Sequence, residues 1–239
     1  MFPDSEKRLW VDFDKLVGES YEDEEPYLYQ GKRFDGMAIE MDGHFCVREM
    51  FLDNGKIRGE SNFSYSGKLV DFQYYDKPLS QTYHWAEDGT LLSVRFQVIN
   101  EFRVEFDFRH GDQLKSANIN GDYFTKISKY KNKMKFPIML DRLDFSKNAC
   151  IYNELSLSSK GITDAVLDEM GKCDGFEKLN SIILFHTMLS DNQIEKLGNI
   201  PTLENIMIND HREELINVAK RLKTRKENCQ IIFNDEEVS

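Results

Sequence analysis

The stretch Phe102-Arg103-Val104-Glu105-Phe106-Asp107-Phe108 alternates apolar and charged residues without a break. A period of two puts the phenylalanines and Val104 on one side of a strand and Arg103, Glu105 and Asp107 on the other, the pattern of a half-buried β-strand. Val94-Arg95-Phe96-Gln97-Val98 repeats it. Outward from these two segments, from Tyr27 to about Tyr123, the strand-like runs are separated by Asn54-Gly55, Ser66-Gly67, Asp88-Gly89 and His110-Gly111. Asn-Gly and Asp-Gly supply the positive φ angles of tight hairpin turns. This part of the chain therefore reads as a meander of antiparallel hairpins. Its units align: residues 51–58, 84–93 and 108–116 each carry an aromatic residue, a turn with glycine, an apolar residue and a small or basic one. Residues 29–38 are a further variant.

A second repeat lies downstream. Leu155-Ser156-Leu157, Ile182-Ile183-Leu184, Ile206-Met207-Ile208 and Ile231-Ile232-Phe233 follow one another at intervals of about 25 residues. Helical stretches fill the gaps. Thr163 is placed to cap one helix, and Ser190 another, with Gln193 at the capping-box spacing. Residues 213–224 form a longer amphipathic helix with Leu215, Val218, Ala219 and Leu222 on one face. Alternating strands and helices at this period build a stack of parallel strands, because no single unit buries its own apolar face.

Residues 1–17 read as a short helix on the spacing of Leu9, Trp10, Phe13 and Leu16, with Asp4 or Ser5 as cap and Gly18 as terminator. The acidic run Glu19-Ser20-Tyr21-Glu22-Asp23-Glu24-Glu25-Pro26 reads as an exposed loop. Between the two repeats, Lys126, Lys129, Lys131, Lys133 and Lys135 surround Tyr130. In an acidic chain they read as a solvated connector or edge strand rather than a nucleic-acid patch. The expected fold class is α+β: an N-terminal helix and antiparallel hairpin sheet over residues 1–125, then a small strand–helix module over residues 138–239.

The chain has 239 residues and a net charge of −11. Residues 1–130 hold 16 Lys/Arg against 24 Asp/Glu, so the acidity lies mostly in the first part. Such a field repels nucleic acid and anionic membrane and steers basic partners inward. No apolar run approaches 18 residues, and residues 1–8 lack the basic head and apolar stretch of a signal peptide. Cytoplasmic residence is the default expectation. Cys46, Cys150, Cys173 and Cys229 form no C-x-x-C pair and read as reduced thiols without zinc.

The sequence offers no catalytic constellation. His44, His84, His110, His186 and His211 show no metal-ligand spacing, and there is no nucleophile elbow, P-loop or dinucleotide fingerprint. Gly171 and Gly175 read as a helix C-cap. No metal or cofactor is expected. His186-Thr187 and Asp210-His211 follow strand-like triplets, where a repeat stack faces its partners. The leading contact candidate is the run Glu22, Asp23, Glu24 and Glu25 with Tyr21 and Tyr27, whose carboxylates can take phosphate positions on a basic partner. The second comprises Tyr74, Tyr75, Tyr83 and Trp85, for which packing on a sheet face is the competing reading.

The aromatic–x–Asn/Asp-Gly–x–Leu/Ile turns at Asn54-Gly55 and Asp88-Gly89, with Gly31-Lys32-Arg33-Phe34-Asp35-Gly36-Met37-Ala38 ahead of them, resemble the MORN-like repeats of bacterial antitoxin and immunity proteins over residues 27–123. Leu179-x-x-Ile182-x-Leu184 and Leu203-x-x-Ile206-x-Ile208, with Ile200-Pro201-x-Leu203-Glu204 leading into the latter strand, resemble a short leucine-rich-repeat module over residues 140–234. The resemblance implies an immunity protein of a polymorphic or contact-dependent toxin system, one that binds a cognate toxin domain and occludes it. The acid-rich first part suits a basic toxin such as a nuclease. The alternative class is a general protein–protein scaffold.

Overall fold

The computed structural model describes residues 2, 4–18, 25–109, 113–121, 126, 129–130, 133, 153–171 and 176–239. The chain is rich in strands, has few helices and is repeat-like throughout. It divides into two compact units, residues 1–94 and 95–239. The expected connector around residues 124–137 falls largely outside the described residues, as do Cys150 and Cys173.

The first unit is a β-meander. Strands β4 (Gly36–Asp42), β5 (Phe45–Asp53), β6 (Lys56–Phe63), β7 (Leu69–Asp76) and β8 (Leu79–Trp85) pair antiparallel in sequence order. The hairpin turns use the residues the sequence supplies. Asn54 and Gly55 both take positive φ, 51° and 74°, and Gly67 and Gly89 do the same in the next turns. His110-Gly111 lies outside the described residues. A small ribbon, β2 (Leu28–Tyr29) with β3 (Lys32–Arg33), precedes the meander.

The helix expected over residues 1–17 is not formed. Ser5–Lys7 and Phe13–Lys15 are single 3₁₀ turns, and Trp10–Asp12 is a strand, β1, paired parallel with β4. A short segment cannot hold a helix by itself, whereas the edge of β4 offers unpaired backbone groups. The Met37 amide donates to the Leu9 carbonyl at 2.9 Å. Val11 is buried, while Leu9 and Trp10 are exposed, the reverse of a helical stripe.

Register sets the meander's two faces. Met37, Phe51, Gly59, Tyr74 and Gln81 lie in one cross-strand row, and Ile39, Glu49, Ser61, Phe72 and Tyr83 lie in another on the same face. Phe2 stacks onto Phe51 and Phe72, with ring centroids 5.9 and 5.4 Å away. Gly59 permits this, because a Cβ there would collide with the Phe2 ring. The opposite face has an apolar end of Val11, Phe34, Ala38, Met50 and Leu52. Its other end is a polar row of Glu40, Arg48, Asn62, Asp71 and His84.

The division between the units falls within β9 (Leu91–Val98), whose last four residues belong to the second unit. There β10 (Phe102–Arg109) and β11 (Gln113–Gly121) form an antiparallel hairpin. Phe102, Val104 and Phe106 are buried and Arg103 is exposed, as the alternation dictates. From β11 the pairing turns parallel through β12 (Glu154–Ser158), β13 (Ser181–Phe185), β14 (Asn205–Asn209) and β15 (Gln230–Phe233). A short antiparallel strand, β16 (Glu236–Glu237), closes the edge. Helices α1 (Asp164–Gly171), α2 (Asp191–Lys196) and α3 (Leu215–Arg225) occupy the successive gaps from β12 to β15.

The first three apolar triplets sit at the centres of their strands, the fourth ends β15, and all four align. Leu155, Ile182, Ile206 and Ile231 form one buried column, and Leu157, Leu184, Ile208 and Phe233 form a second. Leu215, Val218, Ala219 and Leu222 bury the inner face of α3. Ser190 caps α2, accepting the Gln193 amide at 3.3 Å. The reciprocal half of the capping box is absent: Gln193 Nε2 donates instead to Asp168 on α1, and the Ser190 amide donates to Asp164. Neighbouring repeats are thereby tied along their helical side.

Candidate functional site

The sequence-derived contact residues separate once the chain is folded. Tyr21, Glu22, Asp23 and Glu24 lie outside the described residues, and Glu25 is exposed. Tyr27 is fastened into the molecule. Its ring lies 5.5 Å from Phe13, its amide donates to the Gly55 carbonyl at 2.7 Å, and it packs on the apolar cluster around Met50. Tyr83 is 0% exposed and Tyr74 is 6% exposed, both within the aromatic face under Phe2. These two therefore serve the core and are withdrawn from any contact surface. Trp85, half-buried, stacks on Tyr83 at 5.8 Å. Only Tyr75 of this group is openly exposed, with its hydroxyl donating to Gln73 Oε1 at 3.1 Å. The period of two places alternate residues on opposite faces, but sequence alone does not say which face is covered.

A cluster that sequence reading missed lies at the tips of two hairpins in the first unit. Phe45, beside the β4–β5 turn, and Tyr65, in the β6–β7 turn, are 51% and 65% exposed. Their rings meet edge to face at 5.8 Å. Met41 is exposed on the β4 side of the first turn. The Tyr65 hydroxyl donates to Asp42 Oδ2 at 2.6 Å, bridging the two turns. That hydrogen bond, and then the charge of the same carboxylate, raise the Tyr65 phenol above its ordinary value. The rings are thus held in place in the absence of a partner, and large rigid side chains lose little conformational freedom on binding. The available signal was position: all three flank Gly43 and Gly67, both at positive φ.

Charge concentrates in the same unit. Residues 1–94 hold 10 Lys/Arg against 19 Asp/Glu, a net charge of −9, leaving −2 for residues 95–239. The polar row on the meander's outer face is internally paired. Arg48 meets Glu40 and Glu60, and His84 Nδ1 lies 2.6 Å from Asp71 Oδ2. An Asp–His pair orients an imidazole for catalysis only beside a nucleophile or metal. Among the described residues no group of three metal-ligating side chains converges. Burial, followed by the nearby Glu49 charge, pushes the Cys46 thiol up, and burial does the same for Cys229, which disfavours thiolate chemistry at both.

The second unit presents a patch where the parallel strands end. Phe185, the last residue of β13, and Met188 beyond it are exposed. His186, at φ 50°, stacks on His211 with ring centroids 4.0 Å apart, and Phe185 meets His186 edge-on at 4.3 Å. The sequence placed both histidines after strand triplets, and the fold brings them together. Beneath them, Arg212 grips the buried Asp210 through two 2.9 Å hydrogen bonds, and also donates to the carbonyls of Leu189 and Thr187. Burial alone would push the Asp210 carboxyl up. The hydrogen bonds and charge of Arg212, with a smaller part from His186, hold it below its ordinary value. Successive loops are thereby locked together.

No protein-family model matches the chain, and no curated protein matches it. Among solved structures, the chain is similar to a complex of accessory secretory proteins 1, 2 and 3 from Streptococcus pneumoniae, at 12% identity and a TM-score of 0.25. That similarity covers 82% of this chain and 55% of the other. A GtfA/B complex bound to UDP and GlcNAc aligns at 10% identity and TM-score 0.25, over 90% of this chain and 50% of that one. A glycosylation-associated Gap123 complex from Streptococcus agalactiae aligns at 14% and 0.22, over 78% and 38%. The chain spans about half the length of the first two.

Proposed function

We propose that this protein is a non-enzymatic inhibitor that binds a basic protein partner, a cognate bacterial toxin domain, and blocks it by occlusion. The observation that carries the reading is the exposed trio Met41, Phe45 and Tyr65, with Tyr65 held by Asp42, on a unit of charge −9. Aromatic anchors supply the affinity of a small hot spot, and the surrounding carboxylates steer a basic surface onto it. The resemblance to MORN-like immunity proteins and to a leucine-rich-repeat module adds the toxin context. The acidic run at residues 22–25 supplies four of the carboxylates in that charge.

A second reading is a scaffold that joins two proteins. The exposed Phe185 and Met188 in the other unit favour it, since they form an apolar patch separate in sequence from the first. The test is co-expression. The captured partner is produced in a sensitive host with and without this chain. Relief of growth arrest supports the inhibitor, and an innocuous partner supports the scaffold.

A further inference from the structure

A cleft of about 650 Å³ opens in the second unit, lined by the β9–β10 turn, the end of β11 and the turn after β12. We infer that this cleft is a binding site for a small hydroxylated oxyanion, a metabolite-sized molecule carrying a phosphate or carboxylate. Its volume suits such a ligand rather than a protein surface.

The charges point the same way. Among the described residues, Arg103, Lys126 and Lys160 line the cleft against one acid, Glu101. Glu101 is already engaged, accepting the Tyr130 hydroxyl at 3.2 Å and facing Lys126 Nζ at 3.7 Å. Among the described residues Arg103 reaches only Glu105, at 3.8 Å, and that carboxylate is held bidentate by Arg95 at 3.1 and 2.8 Å. Lys160 has no partner among the described residues. In a chain of net charge −11, the described lining therefore carries two more positive than negative charges inside a concavity, where an oxyanion is attracted more strongly than on an open surface.

Ser159 supplies a neutral donor. It sits at φ 88°, and its Oγ accepts the amides of Gly121 at 2.9 Å and Gly161 at 3.3 Å. With both acceptor positions filled, the hydroxyl has only its proton to offer, and no acceptor for it occurs among the described residues. Gly121, at φ 83°, packs against the backbone of Glu101 and Phe102, which fixes the floor. The side-chain amides of Asn100 and Asn120, together with Glu101, suit ligand hydroxyls.

Isothermal titration of the full chain tests the inference, with glucose 6-phosphate, gluconate, inorganic phosphate and glucose as probes. The expected result is saturable binding of glucose 6-phosphate or gluconate and none of glucose. The ratio of the first two separates phosphate from carboxylate. Lys160→Glu and Arg103→Glu each weaken binding at least tenfold and Ser159→Ala several-fold, while Lys220→Glu, on the exposed side of α3, leaves it unchanged. Amide chemical shifts of the wild-type chain at Gly121, Ser159 and Gly161 move on titration, which does not depend on any variant folding. No saturable binding of any anionic probe overturns the assignment. So does binding undiminished by both charge reversals with those shifts unmoved.

Discussion

The Tyr65 hydroxyl donates to Asp42 Oδ2 at 2.6 Å, joining two hairpin tips that lie 23 residues apart in sequence. This contact turns an exposed tyrosine into a fixed one. Asp42→Asn removes the charged acceptor and lowers the Tyr65 titration toward that of a free phenol, read as tyrosinate absorbance against pH. If the phenol is unmoved, Asp42 does not hold the ring.

Partner binding separates exposed from buried aromatics. Phe45→Ala and Tyr65→Ala each weaken it by about 2 kcal/mol or more, as anchors do, and leave the melting temperature within a few degrees. Tyr83→Ala, at a position fully enclosed, acts on the fold instead, with a loss of about 3 kcal/mol in denaturant unfolding.

Two carboxylates give opposite pH dependences. Asp210 has a lowered folded pKa, so its contact with Arg212 stabilises the chain at neutral pH, and that contribution is lost as pH falls through the folded value. Arg212→Ala costs about 2 kcal/mol at pH 7, and the deficit shrinks in acid. Burial raises Glu49. Its ionisation therefore opposes folding once pH rises through the ordinary carboxyl range. Glu49→Gln stabilises at pH 7, by under about 1 kcal/mol, and the gain vanishes below about pH 4. Urea midpoints across pH check both signs.

Glycine turns differ in what surrounds them. Gly55 and Gly67 share nearly the same φ, 74° and 76°, but a Cβ on Gly55 would lie 2.6 Å from Pro26 and 2.7 Å from the Tyr27 carbonyl, whereas Gly67 faces open space. Gly67→Ala pays only the backbone strain, about 1 kcal/mol. Gly55→Ala costs clearly more, because the segment holding Tyr27 must move. Equal losses in thermal unfolding would contradict the packing described.

These contrasts show what the sequence carried. Strand alternation at residues 102–108, the Asn54-Gly55 turn and the four apolar triplets were legible because each obeys one local period or one backbone requirement. The segment around Trp10 was not, since its strand exists only by pairing with β4, and helical spacing in so short a run is outweighed by that pairing. The burial of Tyr74 and Tyr83 was not legible for a related reason. Both look like surface aromatics until the chain folds: Phe2, far away in sequence, packs on Tyr74 and on Phe72, and Phe72 packs on Tyr83. Phe45 and Tyr65 are separated by a whole hairpin, so no linear pattern joins them.

Charge steering yields a kinetic prediction. With −9 on the first unit, association with a basic partner slows as ionic strength rises from about 0.05 to 0.5 M, while dissociation changes little. Surface plasmon resonance across that range reads both rates, and a salt-independent association rate would contradict steering.

The most direct measurement is capture from the source lysate with tagged wild-type chain and, in parallel, the Phe45→Ala/Tyr65→Ala double variant, followed by mass spectrometry. The account predicts one basic protein in near-equal amount on the wild type, depleted on the variant, with an activity that the wild-type chain suppresses. Equal recovery on both chains, or a set of unrelated proteins, would contradict it.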